Sequence, residues 1–236
     1  MSKNITIAAF GALNKASYEA FGIGLEKAAA AAGASFTLYT AVPYPNAAAV
    51  SAPGRPLRGE ALQDEEKKQQ LYNAVADDAQ AIGAAQADIC CMPCMSMIGF
   101  HDGVAAALGL PVLRLADVLA AHYKEVDQLG VIHMRPAKQR IIEIFGVRAI
   151  TPDETQAEKL LAAEEAAKKS GSTANVEAVM AEITAAWRDQ GISRVLFARA
   201  DAPKAHMGVA GQVPDILIEN YFDILATAVM RRALGD

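Results

Sequence analysis

Short apolar runs closed by glycine or proline alternate along this chain with longer stretches whose apolar residues return every three or four positions. Residues 5–10, Ile-Thr-Ile-Ala-Ala-Phe ended by Gly11, carry apolar residues on both faces and predict a buried parallel strand. Residues 17–31, rich in Ala, Leu and Glu, predict a helix, and Gly33 stands where a helix C-terminal glycine belongs. Ser35–Thr40 reads as the second strand. Over residues 62–85, Leu71, Val75, Ala79 and Ile82 fall on one helical face. Residues 88–92, stopped by Pro93, predict a strand; residues 96–108 predict a helix and 111–115 another short strand. In the second half, strands at residues 130–133, 147–150 and Arg194–Ala198 alternate with helices, and residues 219–234 form a closing helix. The Ala/Glu/Lys-rich tract 154–169 has the propensity of a solvated helix rather than a linker. Residues 41–59 hold Pro43, Pro45, Pro53 and Pro56, which excludes a continuous helix and predicts a long loop, readable equally as a binding loop or as ornament.

This alternation implies an α/β architecture with parallel sheets and right-handed crossovers. Gly130-Val131-Ile132-His133 leading into Pro136 repeats the strand-to-helix grammar of the N-terminus, and Arg194–Ala198 repeats that of residues 88–92. The expected fold is therefore two similar lobes, each a mainly parallel sheet flanked by helices, with two equivalent strand ends facing one active-site cleft. The expected boundaries give a first lobe of residues 1–117 plus 219–236, with the C-terminal helix, and a second lobe of residues 118–218.

Composition narrows the function classes. With 236 residues, 53% hydrophobic and 21% charged, the chain can bury a sizeable core and is not a disordered sequence. Its 22 basic and 27 acidic residues give a formal charge of −5 with no basic block, which argues against nucleic-acid and membrane-surface partners. No apolar stretch reaches the roughly 18 residues of a membrane span, and Met1-Ser2-Lys3-Asn4 shows no signal-peptide pattern. Three cysteines, two of them adjacent, do not make a secreted disulfide framework. The expectation is a soluble protein of a reducing cytoplasm.

The sharpest chemical feature is Cys94, in Met92-Pro93-Cys94-Met95-Ser96. It follows a strand and precedes a helix, at the edge where ligands bind in open α/β sheets. There a thiol meets the positive end of a helix dipole, which favours thiolate, and the same N–H groups can hold a substrate carboxylate. Ser96 is a candidate cap or anion-binding hydroxyl. Cys90 and Cys91 lie within the strand and read as core. Cys91 and Cys94 also spell C-x-x-C, but a redox pair begins its helix with the first cysteine, whereas here the strand runs through Cys91. No second ligand cluster of suitable spacing accompanies them, so no metal site is expected.

These residues carry a resemblance. Residues 88–94, a helix and then Leu110-Pro111-Val112-Leu113 resemble the first catalytic segment of the aspartate/glutamate racemase superfamily. Leu129-Gly130-Val131-Ile132 is similar to the start of that family's second lobe. Residues 195–203, Val-Leu-Phe-Ala-Arg-Ala-Asp-Ala-Pro, resemble its second catalytic segment, and Ile218-Glu219 with its helix the closing one. The resemblance implies two lobes around a cleft, no cofactor, a homodimer, and two facing cysteines that remove and return a proton at the substrate's α-carbon. It also implies a small carboxylate as substrate. Relatives of that family carry out hydantoin racemisation, maleate isomerisation and arylmalonate decarboxylation.

At the position matching the second cysteine, however, this chain has Arg199, which is no base at ordinary pH. Asp201 replaces the usual Glu, and Met95 and Ser96 replace the Asn and Thr after the first cysteine. Two repairs follow. His133, at a strand end, can supply the second proton-transfer group, although a lone strand-end histidine is more often structural. Alternatively Arg199 binds a carboxylate as a bidentate fork while Cys94 alone moves a proton or attacks as nucleophile. The expected function is a cofactor-independent racemase or isomerase acting next to the carboxylate of a small amino acid or dicarboxylate. A decarboxylase or lyase using Cys94 with Arg199 is the alternative, as is a non-catalytic carboxylate-binding protein. Asn14, Met95, Ser96, Arg135 and Asp201 are candidate substrate contacts, each also readable as a turn, cap or solvated residue. Lys138 is a weaker candidate of the same kind, and Tyr44 a candidate for the mouth of the cleft. His101, Asp102, Lys204 and His206 read as surface or loop residues, and Trp187 as core.

Overall fold

Isoleucines at positions 5 and 7, with Ala8 and Ala9, are fully buried, so the first strand packs on both faces and takes the centre of a sheet. The computed structural model describes residues 4–12, 15–41, 65–133, 138–199 and 208–235. Within them the chain divides into two compact units, Met1–Val118 with Phe222–Asp236, and Leu119–Tyr221. No helix among the described residues is long and apolar enough to cross a membrane.

In the first unit β1 (Asn4–Ala9) pairs in parallel with β2 (Ser35–Thr40) on one side and with β3 (Ile89–Cys91) on the other. β3 pairs in parallel with β4 (Val112–Leu113), giving the order β2-β1-β3-β4. The Asp88 carboxylate fixes the junction: Thr6 N donates to its Oδ2 at 2.7 Å while Asp88 N donates to Thr6 O at 2.8 Å. Helix α1 (Lys15–Ala32) buries Tyr18, Phe21, Leu25 and Ala29, one face of a 3.6-residue period. Gly33 at φ +62° ends it, as its position in the sequence predicts. α2 (Glu65–Ala81) buries Leu71, Val75 and Ala79 on the expected face.

The second unit repeats the plan. β5 (Leu129–His133), β6 (Ala149–Ile150), β7 (Arg194–Ala198) and β8 (Leu217–Asn220) form an all-parallel sheet in the order β6-β5-β7-β8. Both sheets thus place their first strand second and their third strand beside it, the duplication that the sequence echo predicts. Trp187, Phe197, Ile132, Met180 and Val195 lie together in its core. A short helix, α5 (Lys138–Phe145), follows β5, and after β6 come α6 (Glu154–Ser170) and α7 (Ala174–Asp189), which carries Trp187, 2% exposed and core as expected. Its ring passes so close to β5 that a Cβ on Gly130 would lie 2.5 Å from Trp187 Cε3, so only glycine fits there.

Four segments differ from expectation. Residues 147–150 are not one strand: Gly146–Arg148 is a 3-10 turn and only Ala149–Ile150 pairs as β6. Residues 96–108 are not one α-helix: Met95–Phe100 is a 3-10 stretch, and the α-helix α3 (His101–Leu108) begins only afterwards. The tighter winding puts Met97 and Phe100, three apart, together in the interior. Residues 115–122 form a helix, α4 (Leu115–His122), on which Leu115 and Leu119 are buried, with the first unit ending at Val118 inside it. Residues 217–220 are strand β8 rather than the start of the closing helix, which runs as α8 (Tyr221–Leu234). Glu219 sits in that strand, where Arg194 of β7 donates to it from Nη2 at 2.7 Å and from Nε at 3.2 Å. His122 Nε2 lies 2.8 Å from the same carboxylate, and the Arg194 guanidinium stacks 5.1 Å from the Tyr123 ring centroid. This cluster, at the start of β7, ties β8 to the second sheet. The predicted loop at 41–59 lies outside the described residues, save Ala41.

Candidate active site

In each unit the two central strands end next to residues with chemistry. In the first unit β1 and β3 finish side by side: Ala9 is in register with Cys91, and Phe10 N donates to Cys91 O at 3.2 Å. Past β1 the chain turns at Gly11, φ +75°, where a Cβ would come 2.9 Å from Met92 Cε. Ala12 N then donates to the Tyr18 hydroxyl at 3.3 Å, which pins the turn to α1. Past β3, Pro93 stops the ladder and Cys94 N folds back to Met92 O at 2.9 Å. Cys94 stays extended (φ −146°, ψ 115°), and its carbonyl accepts the first bond of the 3-10 stretch from Met97 N at 3.1 Å.

The Cys94 side chain makes no capping bond to that stretch and is 6% exposed. The neighbouring dipole is that of six 3-10 residues rather than of a continuous α-helix, a weaker source of positive potential than the sequence suggests. Met95 is buried and Ser96 exposed, so of the two residues beyond the thiol only Ser96 presents its side chain to solvent.

The other two thiols are of a different kind. Cys90 and Cys91 are buried within β3, and Cys90 Sγ points at Ala84 O, 3.5 Å away. Burial pushes both pKa values up, and Cys91 is raised further by Cys90 beside it. None of the three is disulfide-bonded. Cys91 is fully buried in the strand, so Cys91 and Cys94 do not form an accessible exchange pair. Among the described residues no group of three or more His, Cys, Asp and Glu is placed to hold a metal ion.

In the second unit β5 ends at His133, in register with Ala198 at the end of β7, and Arg199 is the next residue along. His133 is 9% exposed and Arg199 4%. The parallel register therefore brings an imidazole and a guanidinium to adjacent strand ends. Arg199 Nη1 donates to Glu164 Oε1, an ion pair between a buried guanidinium and a half-buried carboxylate that is 11% exposed. Glu164 comes from α6, whose first turn is held by a reciprocal cap: Gln156 N donates to Asp153 Oδ1 at 2.8 Å and Asp153 N to Gln156 Oε1 at 3.1 Å. Leu160 and Ala163 are buried and Ala167 half-buried on the same face, so the Ala/Glu/Lys-rich tract is solvated on one side only. Sequence reasoning missed Glu164. The signal available was a single Glu interrupting an apolar stripe at 160, 163, 164 and 167.

Asn14, Arg135 and Asp201, and likewise Tyr44, Lys204 and His206, lie outside the described residues, and the Lys138 side chain does too. His101, read from the sequence as a surface residue, is instead 7% exposed: its Nε2 lies 3.0 Å from Val112 O and its Nδ1 3.2 Å from Asp102 Oδ1. It is a satisfied interior histidine that fastens α3 to β4.

No protein-family model matches the chain, and neither does any curated protein sequence. Solved structures do match. An Asp/Glu racemase homologue from Yersinia pestis superposes with a TM-score of 0.71 at 20% identity, covering 100% of both chains. An aspartate racemase homologue from Pyrococcus horikoshii gives a TM-score of 0.70 at 14% identity over 98% of this chain and 99% of that one. An allantoin racemase from Klebsiella pneumoniae gives 0.62 at 14% identity, covering 98% of this chain and 89% of its own. The fold is thus shared with Asp/Glu racemase homologues along essentially its whole length.

Proposed function

We propose that the chain is a cofactor-independent isomerase of racemase type, acting at the carbon next to the carboxylate of a small amino acid or dicarboxylate. The observation that carries this reading is Cys94, the first side chain past the Met92-Pro93 stop at the C-terminal end of a central parallel strand. That is the edge at which open α/β sheets bind ligands. A proton beside a carboxylate is very weakly acidic, so base, acid and anion-stabilising groups have to be in place before it leaves. Cys94 is the group for proton removal or for nucleophilic attack. His133 is the candidate for the second proton transfer, since Arg199, where a second cysteine would stand, holds its proton at any ordinary pH. The names of the three similar structures, all racemases or racemase homologues, support the same class.

A second reading is a decarboxylase or lyase in which Arg199 binds one carboxylate and Cys94 alone handles the proton. The Arg199–Glu164 pair favours it, because it builds a fixed cation where symmetric two-base chemistry would need a base. Incubation in heavy water with small amino acids, hydroxy acids and dicarboxylates, followed by proton NMR, separates these readings. Racemisation gives α-deuteration and loss of optical rotation without a new product; decarboxylation releases carbon dioxide. Ligand-induced thermal stabilisation without either reaction identifies a binding protein and refutes the enzyme reading.

A further inference from the structure

Of the four glutamates on α6, at positions 154, 158, 164 and 165, three are exposed and Glu164 alone is turned inward, on a face otherwise made of Leu160, Ala163 and Ala167. A charged pair in such surroundings adds little to stability, because desolvating both ions offsets their attraction and apolar residues of similar volume serve as well. Its place in the fold is more telling. Glu164 Oε1 accepts from Nη1 of Arg199, the first residue past β7, and β7 ends in register with His133 of β5. The carboxylate thus stands by the C-terminal ends of the central strands of the second sheet, the edge at which such sheets bind ligands. Arg199 occupies the position where the racemase pattern has its second cysteine, and it holds its proton at any ordinary pH. The side chain beside it can take and give one. Among the described residues the only hydrogen bond to the Glu164 carboxylate is that from Arg199 onto Oε1, which leaves Oε2 for a proton, and the side chain is half-buried rather than sealed in.

We infer that Glu164 is the catalytic acid of the second unit, delivering the proton that restores the α-carbon after Cys94 has taken the first. The inference rests on the racemase reading proposed above, and it puts Glu164 rather than His133 in the role of second proton-transfer group. The proton count closes. The α-C–H bond breaks, its proton forms an S–H bond on the Cys94 thiolate, and the electron pair stays on the carbon, spread into the adjoining carboxylate. The O–H bond of protonated Glu164 then breaks and a C–H bond forms on the opposite face, leaving the Glu164 carboxylate. Arg199 donates to that carboxylate as its charge returns, a role suited to a fixed cation. The reverse reaction starts from the Cys94 thiol and the Glu164 carboxylate.

The test follows α-deuteration and optical rotation together in heavy water, on the separate enantiomers of alanine, serine, aspartate and glutamate, with wild type, Glu164→Gln and His133→Gln. Glutamine keeps an oxygen that accepts from Arg199 but carries no transferable acid proton. In Glu164→Gln racemisation should fall by about 10²–10⁴-fold, while one enantiomer still exchanges its α-proton through Cys94 with its configuration retained. A merely structural loss lowers exchange and racemisation by the same factor, and their ratio within one sample does not depend on how much of the protein is folded. Whatever His133→Gln costs should fall on the two equally. Should Glu164→Gln not fold, Glu164→Asp, which withdraws the carboxyl by one methylene, should move the ratio in the same direction. Racemisation that is unchanged in Glu164→Gln, or that falls only in step with exchange, overturns the role of Glu164, and so does an uncoupling seen in His133→Gln instead. A wild type that racemises none of these amino acids overturns the racemase reading itself, and this inference with it.

Discussion

Removing one partner of the Arg199–Glu164 pair should cost the fold more than removing both. At 4% and 11% exposure neither charge can recover its hydration once the other is gone. Arg199→Met strands the Glu164 carboxylate and Glu164→Leu removes the counter-charge of the guanidinium, each of which should destabilise the protein by about 3–5 kcal/mol. The double variant removes both charges and keeps the volumes close, so its cost should fall below about 1.5 kcal/mol. For a chain of this size, 3–5 kcal/mol corresponds to a fall in melting temperature of about 6–20 °C. Urea unfolding followed by far-UV circular dichroism at neutral pH gives the four midpoints, and the cycle gives the coupling directly. Single variants within about 0.5 kcal/mol of wild type, or a double variant as unstable as the sum of the singles, would refute a buried, mutually dependent pair.

Two further predictions follow from packing and titration. Gly130→Ala places a methyl 2.5 Å from Trp187 Cε3 and 2.9 Å from Val195 Cγ2, and overpacking of this kind costs about 1–3 kcal/mol. Because Trp187 is the single tryptophan, its fluorescence should shift as the urea midpoint falls; an unchanged spectrum with an unchanged midpoint would show that β5 and α7 are not in tight contact. Burial raises the pKa of Cys90 and Cys91 above the ordinary thiol value of 9.0, and burial next to Glu219 raises Tyr123 above 10.0. The unfolded chain therefore gives up these protons first, and above about pH 9 it binds fewer protons than the native state, so stability falls as pH rises. The urea midpoint should hold level through neutral pH and decline from about pH 9 upward; a midpoint that stays level or rises to pH 11 would contradict the burial of these groups.

How much of this was legible in the sequence depends on length and period. β1, β3, β5 and β7 are apolar runs bounded by glycine, proline or polar residues, and their ends, hence Cys94 past β3, His133 on β5 and Arg199 past β7, could be placed from the sequence. β8 could not, because Leu-Ile-Glu-Asn is four residues long and joins without a break to a strongly helical segment; only its pairing with β7 makes it a strand. The 3-10 stretch after Cys94 was hidden because its composition is equally that of an α-helix; only the folded backbone, with Met95, Met97 and Phe100 all buried, distinguishes the two. His101 gave no sign of its partner, a backbone carbonyl eleven residues on. Glu164 was the most consequential omission: in a tract of Ala, Glu and Lys every Glu looks solvated, and the long-range contact with position 199 alone distinguishes this one.

If the sulfur of Cys94 takes part in chemistry at a carbon acid, solvent exchange at that carbon depends on it. In heavy water, wild-type protein should deuterate the α-position of at least one small amino acid or dicarboxylate. Cys90→Ala, which alters a buried thiol of the same strand, should retain that activity, while Cys94→Ala should lose it entirely. Full α-proton exchange in Cys94→Ala, with rates equal to wild type, would remove this sulfur from the chemistry.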